Sequence, residues 1–564
     1  MDDPILNSYL NEFSKSYGLN SLPEPEIFEY FSAYCVMHRD FSERTELNEV
    51  VVSGGLDTGI DSAAIFLNDI HVTTPAQVTE IASRQRVEAE FVFIQSKTSR
   101  SLNAAEIGSY LQGIKEFFGQ RYMPANDSIT ALRELSDSVF KESVKFKSKP
   151  LLHLYYCYAG RFRDDPVATA RKQAGIEELK NYGLFADVFF TFVDADRLQE
   201  RYQEVNLRIE REIQMNEFAS LPQIPGIRQA YLGLLQCKEL VKLLSNSDGM
   251  LHKAIFNENV RDFLSSNPVN DEISATIASP TEQSKLAALN NGITIVARDV
   301  RLVGKKFTLA DYQIVNGCQT SNIIFNNRNK ILDDTAVPVK IIEVEDRDIV
   351  NDIVRATNRQ TEVKDEAFVV LGDFHKKLER FLLSIDEPQD KKIVYERRKR
   401  QYADTLYTPQ NIISLTSLTN AFVSCYIEDP VSANDYYGVL LKKYNGKIFI
   451  EEHSMWPYLL SAKILRGIEK LCTGSAKKNL WKFRFIIALL VRRSFGGKPI
   501  LSNDVAQRKY AQLAIDKINR PDHFIPLVIN AERKIAAAVG IQGAGFDARN
   551  AHQDRKFVSS LLIN

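Results

Sequence analysis

Asp61, Gln95 and Lys97 are the side chains near the start of this sequence whose types suit metal-assisted chemistry on a phosphate. Hydrolysing a phosphodiester at neutral pH requires a nucleophilic water and neutralisation of the charge that develops on the phosphate. A divalent cation supplies both, and magnesium takes hard oxygen ligands, usually one or two carboxylates with several waters retained. A lysine beside it orients the water or stabilises the transition state. Gln95 and Lys97 share one side of an extended chain, because strand side chains alternate with a period of two, while Ser96 points away. Glu29 and Asp57 are the acids that can join them. Glu29 is either a further participant or a solvated helix residue. Asp57 is either a supporting acid or the acceptor of an Asx turn.

Bringing these groups to one point requires a sheet. An amphipathic helix is expected over Glu26–His38, after the punctuation of Pro23 and Pro25. The glycine-rich turn 53–59 leads into the apolar run Ile60–Leu67, which a turn at Asn68 and Asp69 joins to Ile70–Val72 as a hairpin. After a polar linker, Ala89–Lys97 reads as a buried strand and 103–118 as a helix. Leu151–Tyr158 and Ala186–Val193 read as strands on either side of a helix at about 168–181. This alternation predicts a layered α/β sheet. If the strand from Ile60 neighbours the one ending at Lys97, Asp61 converges on Gln95 and Lys97, and Glu29 reaches in from the preceding helix.

The turn ending at Asp61, the hairpin and Phe93-Ile94-Gln95-Ser96-Lys97 resemble the PD-(D/E)xK restriction-endonuclease-like superfamily, and the order of elements fits that fold. The resemblance implies a metal-dependent endonuclease using Mg²⁺ or Mn²⁺. Asp61, Gln95, Lys97 and Glu29 are then catalytic, with the metal on Asp61 and Gln95 and with Asp57 in support. Gln95 stands where the superfamily more often has Asp or Glu. A neutral amide oxygen still ligates magnesium but adds no charge, so metal affinity or choice changes.

A second distinctive region comprises Asn290-Asn291-Gly292-Ile293-Thr294-Ile295-Val296, Gln313-Ile314-Val315-Asn316-Gly317-Cys318-Gln319-Thr320 and Ala356-Thr357-Asn358-Arg359-Gln360-Thr361. These blocks resemble the AIPR family, named for abortive-infection phage resistance. With the N-terminal blocks, the resemblance runs from about residue 25 to about 405. It implies an anti-phage role with a nuclease-like domain ahead of the AIPR domain. A strand-to-helix turn at Asn316, Gly317, Gln319 and Thr320 presents backbone N–H groups suited to an anion, and Gly317 lets it approach closely. Arg355, Asn358, Arg359 and Gln360, at the end of an expected helix at 346–358, add a polar surface for a phosphate or base. Alternatively, the Asn and Gln side chains of this region cap helices and satisfy buried backbone.

Arg397, Arg398, Lys399 and Arg400 lie between Tyr395 and Tyr402. Cations with interleaved aromatics suit phosphate contacts and base stacking, although such runs also serve as solvated faces. A formal net charge of −1 gives no general support to nucleic-acid binding, so any contact must be local. The six scattered cysteines form no CxxC unit, the eight histidines form no ligand pair, and neither a structural zinc nor a disulfide framework is expected. The acidic start lacks an apolar signal segment, and the run Phe485–Val491 falls far short of the roughly 20 residues a bilayer requires, so a cytoplasmic protein is expected.

The expected architecture is α/β and multidomain: a restriction-endonuclease-like sheet at 1–200, a helical connector at 201–280, a central α/β AIPR domain at 281–405 and a mainly helical region at 406–564. The last includes helices at 455–472, 476–493, 503–518 and 526–539. The expected function is phage defence by a metal-dependent endonuclease, with DNA the favoured substrate over RNA. A homo-oligomer, a phage-derived trigger and a partner defence protein are compatible associations. Two other readings stand beside it: an inactive nucleic-acid-binding sensor, which Gln95 keeps open, and a nucleotide-acting enzyme centred on 316–320.

Overall fold

The computed structural model describes residues 3–41, 45–52, 54–206, 210–246, 249–256, 268–344, 349–350, 352–353, 356, 373–397, 401–402, 405–435, 437–472, 478–542 and 546–563. The chain divides into two compact units, one made of 1–33, 46–196 and 368–564, the other of 34–45 and 197–367.

The first unit opens with α1 (Pro4–Tyr17), most of α2 (Glu24–Asp40) and α3 (Leu47–Val50). There follow β1 (Ser62–Leu67), β2 (Ile70–Val72), α4 (Pro75–Arg84), β3 (Ala89–Lys97), α5 (Ala104–Phe118), α6 (Asp127–Lys141), β4 (Leu151–Tyr158), α7 (Pro166–Asn181) and β5 (Asp187–Val193). The strands form one sheet in the order β2-β1-β3-β4-β5. β1 is antiparallel to β2 and β3, whereas β3, β4 and β5 run parallel. This succession of helix, hairpin and helix-separated strands is the one expected from the sequence. β1 starts two residues later than expected, because Ile60 N–H bonds the Asp57 carbonyl at 3.1 Å and Gly59 is left-handed, which keeps 57–60 in a turn. The expected polar linker holds α4, started by a capping box in which Thr74 and Gln77 satisfy each other's backbone.

Register places side chains in rows across one sheet face. Ile65, Phe91, Leu152 and Val188 form one row, and Ala63, Phe93, Leu154 and Phe190 the next. These residues pack with Ile107, Leu111, Ile114 and Phe117 of α5 in one buried core. Gln95, Tyr156 and Phe192 continue the pattern, and one step beyond the Ser62–Ile94 pair Asp61 comes opposite Gln95. The candidate site is therefore the row where this apolar face turns polar.

The rest of the unit is mainly helical, with Asp373–Ser384, Leu415–Phe422, Trp456–Leu471, Arg484–Ser494, Asp504–Ile518 and Pro521–Gly540 as principal segments. Phe422, Tyr458, Leu460, Ile464 and Ile487 lie in their shared core. The helix expected over 476–493 is instead Lys478–Lys482 followed by Arg484–Ser494. The helix expected from Pro526 starts at Pro521, where a missing N–H costs nothing, and carries Pro526 inside. A short parallel ladder, Val394–Glu396 with Ile412–Ser414, was not foreseen.

In the second unit, β6 (Glu210–Gln214), β7 (Glu217–Ser220) and β8 (Gln229–Gln236) lie where a helical connector was expected. β6 is almost wholly polar and buries only Ile213, so its sequence carries little apolar strand signal. β9 (Ile293–Ala297), β10 (Asp299–Val303), β11 (Lys306–Ala310), β12 (Gln313–Asn316) and β13 (Ala336–Glu343) complete two sheets, ordered β12-β9-β13-β8-β7 and β10-β11-β6. β10 and β11 form a hairpin, while β9 pairs with β12 and β13 in the other sheet. The expected helix at 346–358 falls largely outside the described residues. No described helix is long and apolar enough to cross a membrane.

Gly317 joins β12 to the helix Cys318–Asn326 at φ 91°, and a Cβ there would sit 3.0 Å from Ile293 Cα. Gly317→Ala combines left-handed strain with this approach, so urea unfolding should show a loss of about 1–3 kcal/mol in the second unit. An unchanged midpoint would count against this reading of the turn.

Candidate active site at the end of the first sheet

Asp61 sits at the entry to β1, with its peptide held on both sides. Its N–H donates to the Ile94 carbonyl at 3.0 Å, and its carbonyl accepts from Val52 N–H at 2.7 Å. The side chain is 6 % exposed. Its Oδ2 accepts Gln95 Nε2 at 2.8 Å and the Ser96 backbone N–H at 2.6 Å. β3 therefore supplies a side-chain donor and a main-chain donor to a carboxylate arriving from its neighbour.

Burying the charge still prevails. Burial, with Asp57 nearby, raises the Asp61 carboxyl to about 6, although Ser96, Lys97 and Gln95 all act to lower it. Glu29 on α2 is pushed further, to about 8, first by burial and then by the charges of Asp61, Glu26 and Asp57, with Lys97 opposing. Glu29, Asp61, Asp57 and Lys97 thus share one electrostatic neighbourhood, together with Gln95. Asp57 also makes an Asx turn, accepting from Gly59 N–H at 2.7 Å.

The loop carrying Asp57 is fastened at several points. Leu56 and Thr58 have φ of 60° and 58°, unusual for residues with side chains. The Leu56 carbonyl accepts from Asn126 N–H at 3.0 Å. A Cβ on Gly113 of α5 would come within 1.8 Å of the Thr58 carbonyl, and one on Gly59 within 3.1 Å of Gln95 Oε1. The Gln95 amide thus turns its nitrogen to Asp61 and its oxygen toward Gly59. Three contributors escaped the sequence reading. The Ser96 N–H is a backbone group with no residue signature, and Gly113 has meaning only once the loop is seen against α5. Tyr156, beside Gln95 in the ladder, donates to Glu106 Oε2 at 3.0 Å, and strand register was its one available signal.

Among the described residues, no group of three or more His, Cys, Asp and Glu is placed to hold a metal. The donors present are oxygen-bearing and few.

In the second unit, the Thr320 hydroxyl accepts Asn290 Nδ2 at 3.0 Å, and Asn290 Oδ1 accepts Gly292 N–H at 2.9 Å. Asn290 and Thr320 therefore tie the 316–320 turn to the segment entering β9. Asn316 and Gln319 are half-buried in the same turn. Arg355, Asn358, Arg359, Arg398, Lys399 and Arg400 lie outside the described residues. Arg397, in the first unit, pairs with Glu379. The two rings flanking the basic stretch are not offered to a base. Tyr395 is fully buried with its hydroxyl 2.9 Å from His375 Nδ1, and Tyr402 is 7 % exposed. Both rings serve the interior.

Residues 256–513 match the family model described as AIPR protein. No curated protein and no solved structure matches the chain. The match includes the 316–320 turn and the basic stretch, and it excludes Glu29, Asp61, Gln95 and Lys97.

The raised acids carry a testable sign. The fold favours protonated Glu29, so between pH 4.5 and about 8 the folded state holds more protons than the unfolded one, and stability falls as pH rises. Glu29→Gln keeps the neutral shape without the ionisation. It should be more stable than wild type by about 1–3 kcal/mol at pH 8, with the gap closing toward pH 5. Urea unfolding at both pH values measures this, and an equal gap at both would refute it.

Proposed function

We propose that this chain is an anti-phage defence protein whose first unit carries a metal-dependent endonuclease site built on Asp61, Gln95, Lys97 and Glu29. The observation that carries the reading is the convergence of two burial-strained acids, Asp61 and Glu29, with Lys97 and the Gln95 amide at one end of the sheet. The AIPR match is consistent with a role in abortive infection. The order of elements in the first sheet supports a restriction-endonuclease-like domain.

Asp61 and the Gln95 oxygen are the groups that would hold Mg²⁺ or Mn²⁺. When bound, the cation supplies charge neutralisation at the phosphate and an acidified water. Turning the Gln95 amide by half a revolution presents Oε1 instead of Nε2 toward Asp61. Ser96 N–H keeps Asp61 aimed during that turn. Lys97 stabilises charge developing on the phosphate. Glu29, which burial holds protonated at neutral pH, is suited to donate a proton. DNA is the proposed substrate. The present amide orientation, nitrogen toward Asp61, is the observation that favours the second reading, a nucleic-acid-binding sensor without cleavage.

Purified protein incubated with plasmid, linear DNA and RNA in Mg²⁺ or Mn²⁺ tests the proposal. Asp61→Asn should abolish cleavage, Lys97→Ala should lower kcat by about 10²-fold or more, and Gln95→Glu should reduce the Mg²⁺ concentration for half-maximal rate. Full activity in Asp61→Asn would remove Asp61 from the chemistry. Binding without cleavage under every condition would select the sensor.

A separate expectation concerns the basic stretch. Changing Arg398, Lys399 and Arg400 to Ser, while keeping Arg397 for its pairing with Glu379, should weaken DNA binding and flatten its dependence on log salt, with turnover of bound substrate little changed. Binding curves at several salt concentrations measure this, and an unaltered slope would assign the stretch another role.

A further inference from the structure

We propose that Arg484, from the helical part of the chain, is a positioning residue for Asp61, so that the AIPR-matched sequence itself braces the candidate site. This deepens the endonuclease reading and rests on it for its catalytic consequence.

The brace runs through contacts inside the first unit. Arg484 Nη2 donates to Glu49 Oε1 at 2.7 Å, with the two side chains 12 % and 19 % exposed. The guanidinium is fixed on its own side as well. Its Nη1 bonds the Trp481 carbonyl at 3.0 Å, and its carbon lies 4.6 Å from the Trp481 ring centroid and 4.4 Å from that of Phe485. A planar cation stacked on rings and bonded at both edges is a rigid anchor, which a lysine cannot reproduce.

Glu49 belongs to α3, and the three residues that follow, Val50, Val51 and Val52, are all buried. Val51 forms an antiparallel bridge with Ser62, and Val52 N–H donates to the Asp61 carbonyl at 2.7 Å. Asp61 is thus a central residue between two backbones. One is β3, which is secured throughout the sheet. The other is the short segment 51–52, and Glu49 is the charged handle just before it. His71 Nδ1 lies 3.8 Å from Glu49 Oε2, but burial lowers its pKa to about 4, so it is neutral at pH 7 and Arg484 supplies the opposing charge.

Arg549 offers an internal comparison. It too comes from the C-terminal region and pairs with an N-terminal acid, Glu134 on α6, at 3.2 Å. α6 makes no backbone hydrogen bond to Asp61. Loss of Arg549 should therefore leave the site alone.

The full chain carrying Arg484→Met, Arg484→Lys, Glu49→Gln or Arg549→Met tests the proposal by hydrogen exchange, thermal midpoint and Mg²⁺-dependent cleavage. Both Arg484 variants and Glu49→Gln should speed exchange in peptides covering 47–62 by about tenfold or more, while peptides from 456–471 remain protected. In the same variants kcat should fall by about tenfold or more with KM little changed. Adding Arg484→Met to Glu49→Gln should have little further effect, and Arg549→Met should change neither quantity. Exchange unchanged at 47–62, or raised equally in every peptide, would overturn the positioning role. A wild type that cleaves nothing would sink the endonuclease reading, while the exchange pattern still decides whether Arg484 braces Asp61.

Discussion

A carboxylate removed from water must have its charge answered, or the fold loses several kcal/mol. Asp61 imposes that demand at the row where the apolar face of the first sheet turns polar. The answer is local and directional: a side-chain amide and a main-chain N–H converge on a single oxygen. Both donors come from the end of β3, so Asp61 can be buried only where β1 begins and β3 finishes. The loop before it must then be compact, which accounts for the left-handed residues at 56, 58 and 59 and for Gly113 lying bare beneath the Thr58 carbonyl.

The neutral residue at 95 makes sense within the same constraint. Asp61 already raises the pKa of Glu29, and Asp57 acts in the same direction on both. A third acid at 95 would add like charge to a site where burial and neighbouring acids already hold two carboxyls above their ordinary range, and it would lose the N–H that now steadies Asp61. Glutamine offers a donor without a cation and an acceptor with one. On the proposed function, the amide therefore trades metal affinity for a site that keeps its shape before metal and substrate arrive.

How far the sequence revealed this depended on where each signal resides. The strands Ala89–Lys97 and Leu151–Tyr158 were legible to the residue because each is an apolar run bounded by polar or turn residues, as a strand covered on both faces must be. The alternation of period two placed Gln95 and Lys97 on one side, and the hairpin brought Asp61 opposite. β6 was illegible because four of its five side chains are polar. α4 was readable in principle from Thr74, Pro75 and Gln77, but the surrounding polarity suggested a linker. The aromatics flanking the basic stretch misled for a related reason: Tyr395 and Tyr402 have polar tips and apolar bodies, and composition does not distinguish a ring offered to a base from one buried beside His375.

Sequence family and structural unit do not share boundaries in this chain. The AIPR match at 256–513 begins in the second unit, which ends at 367, and continues through the helices from 368 that belong with the N-terminal sheet. Asp61, Gln95 and Lys97 lie outside the match, yet they share a unit with its second half. Cutting the chain after the sheet, at about residue 200, would remove no proposed catalytic group. It would take away the partner of Glu49 and leave a largely buried carboxylate at the end of α3 without its cation. By the same electrostatics that governs Asp61, that acid would have to take up a proton or move toward water. Either change acts on the segment whose Val52 N–H holds the Asp61 carbonyl, so the geometry of the site depends on a residue more than four hundred positions away in sequence.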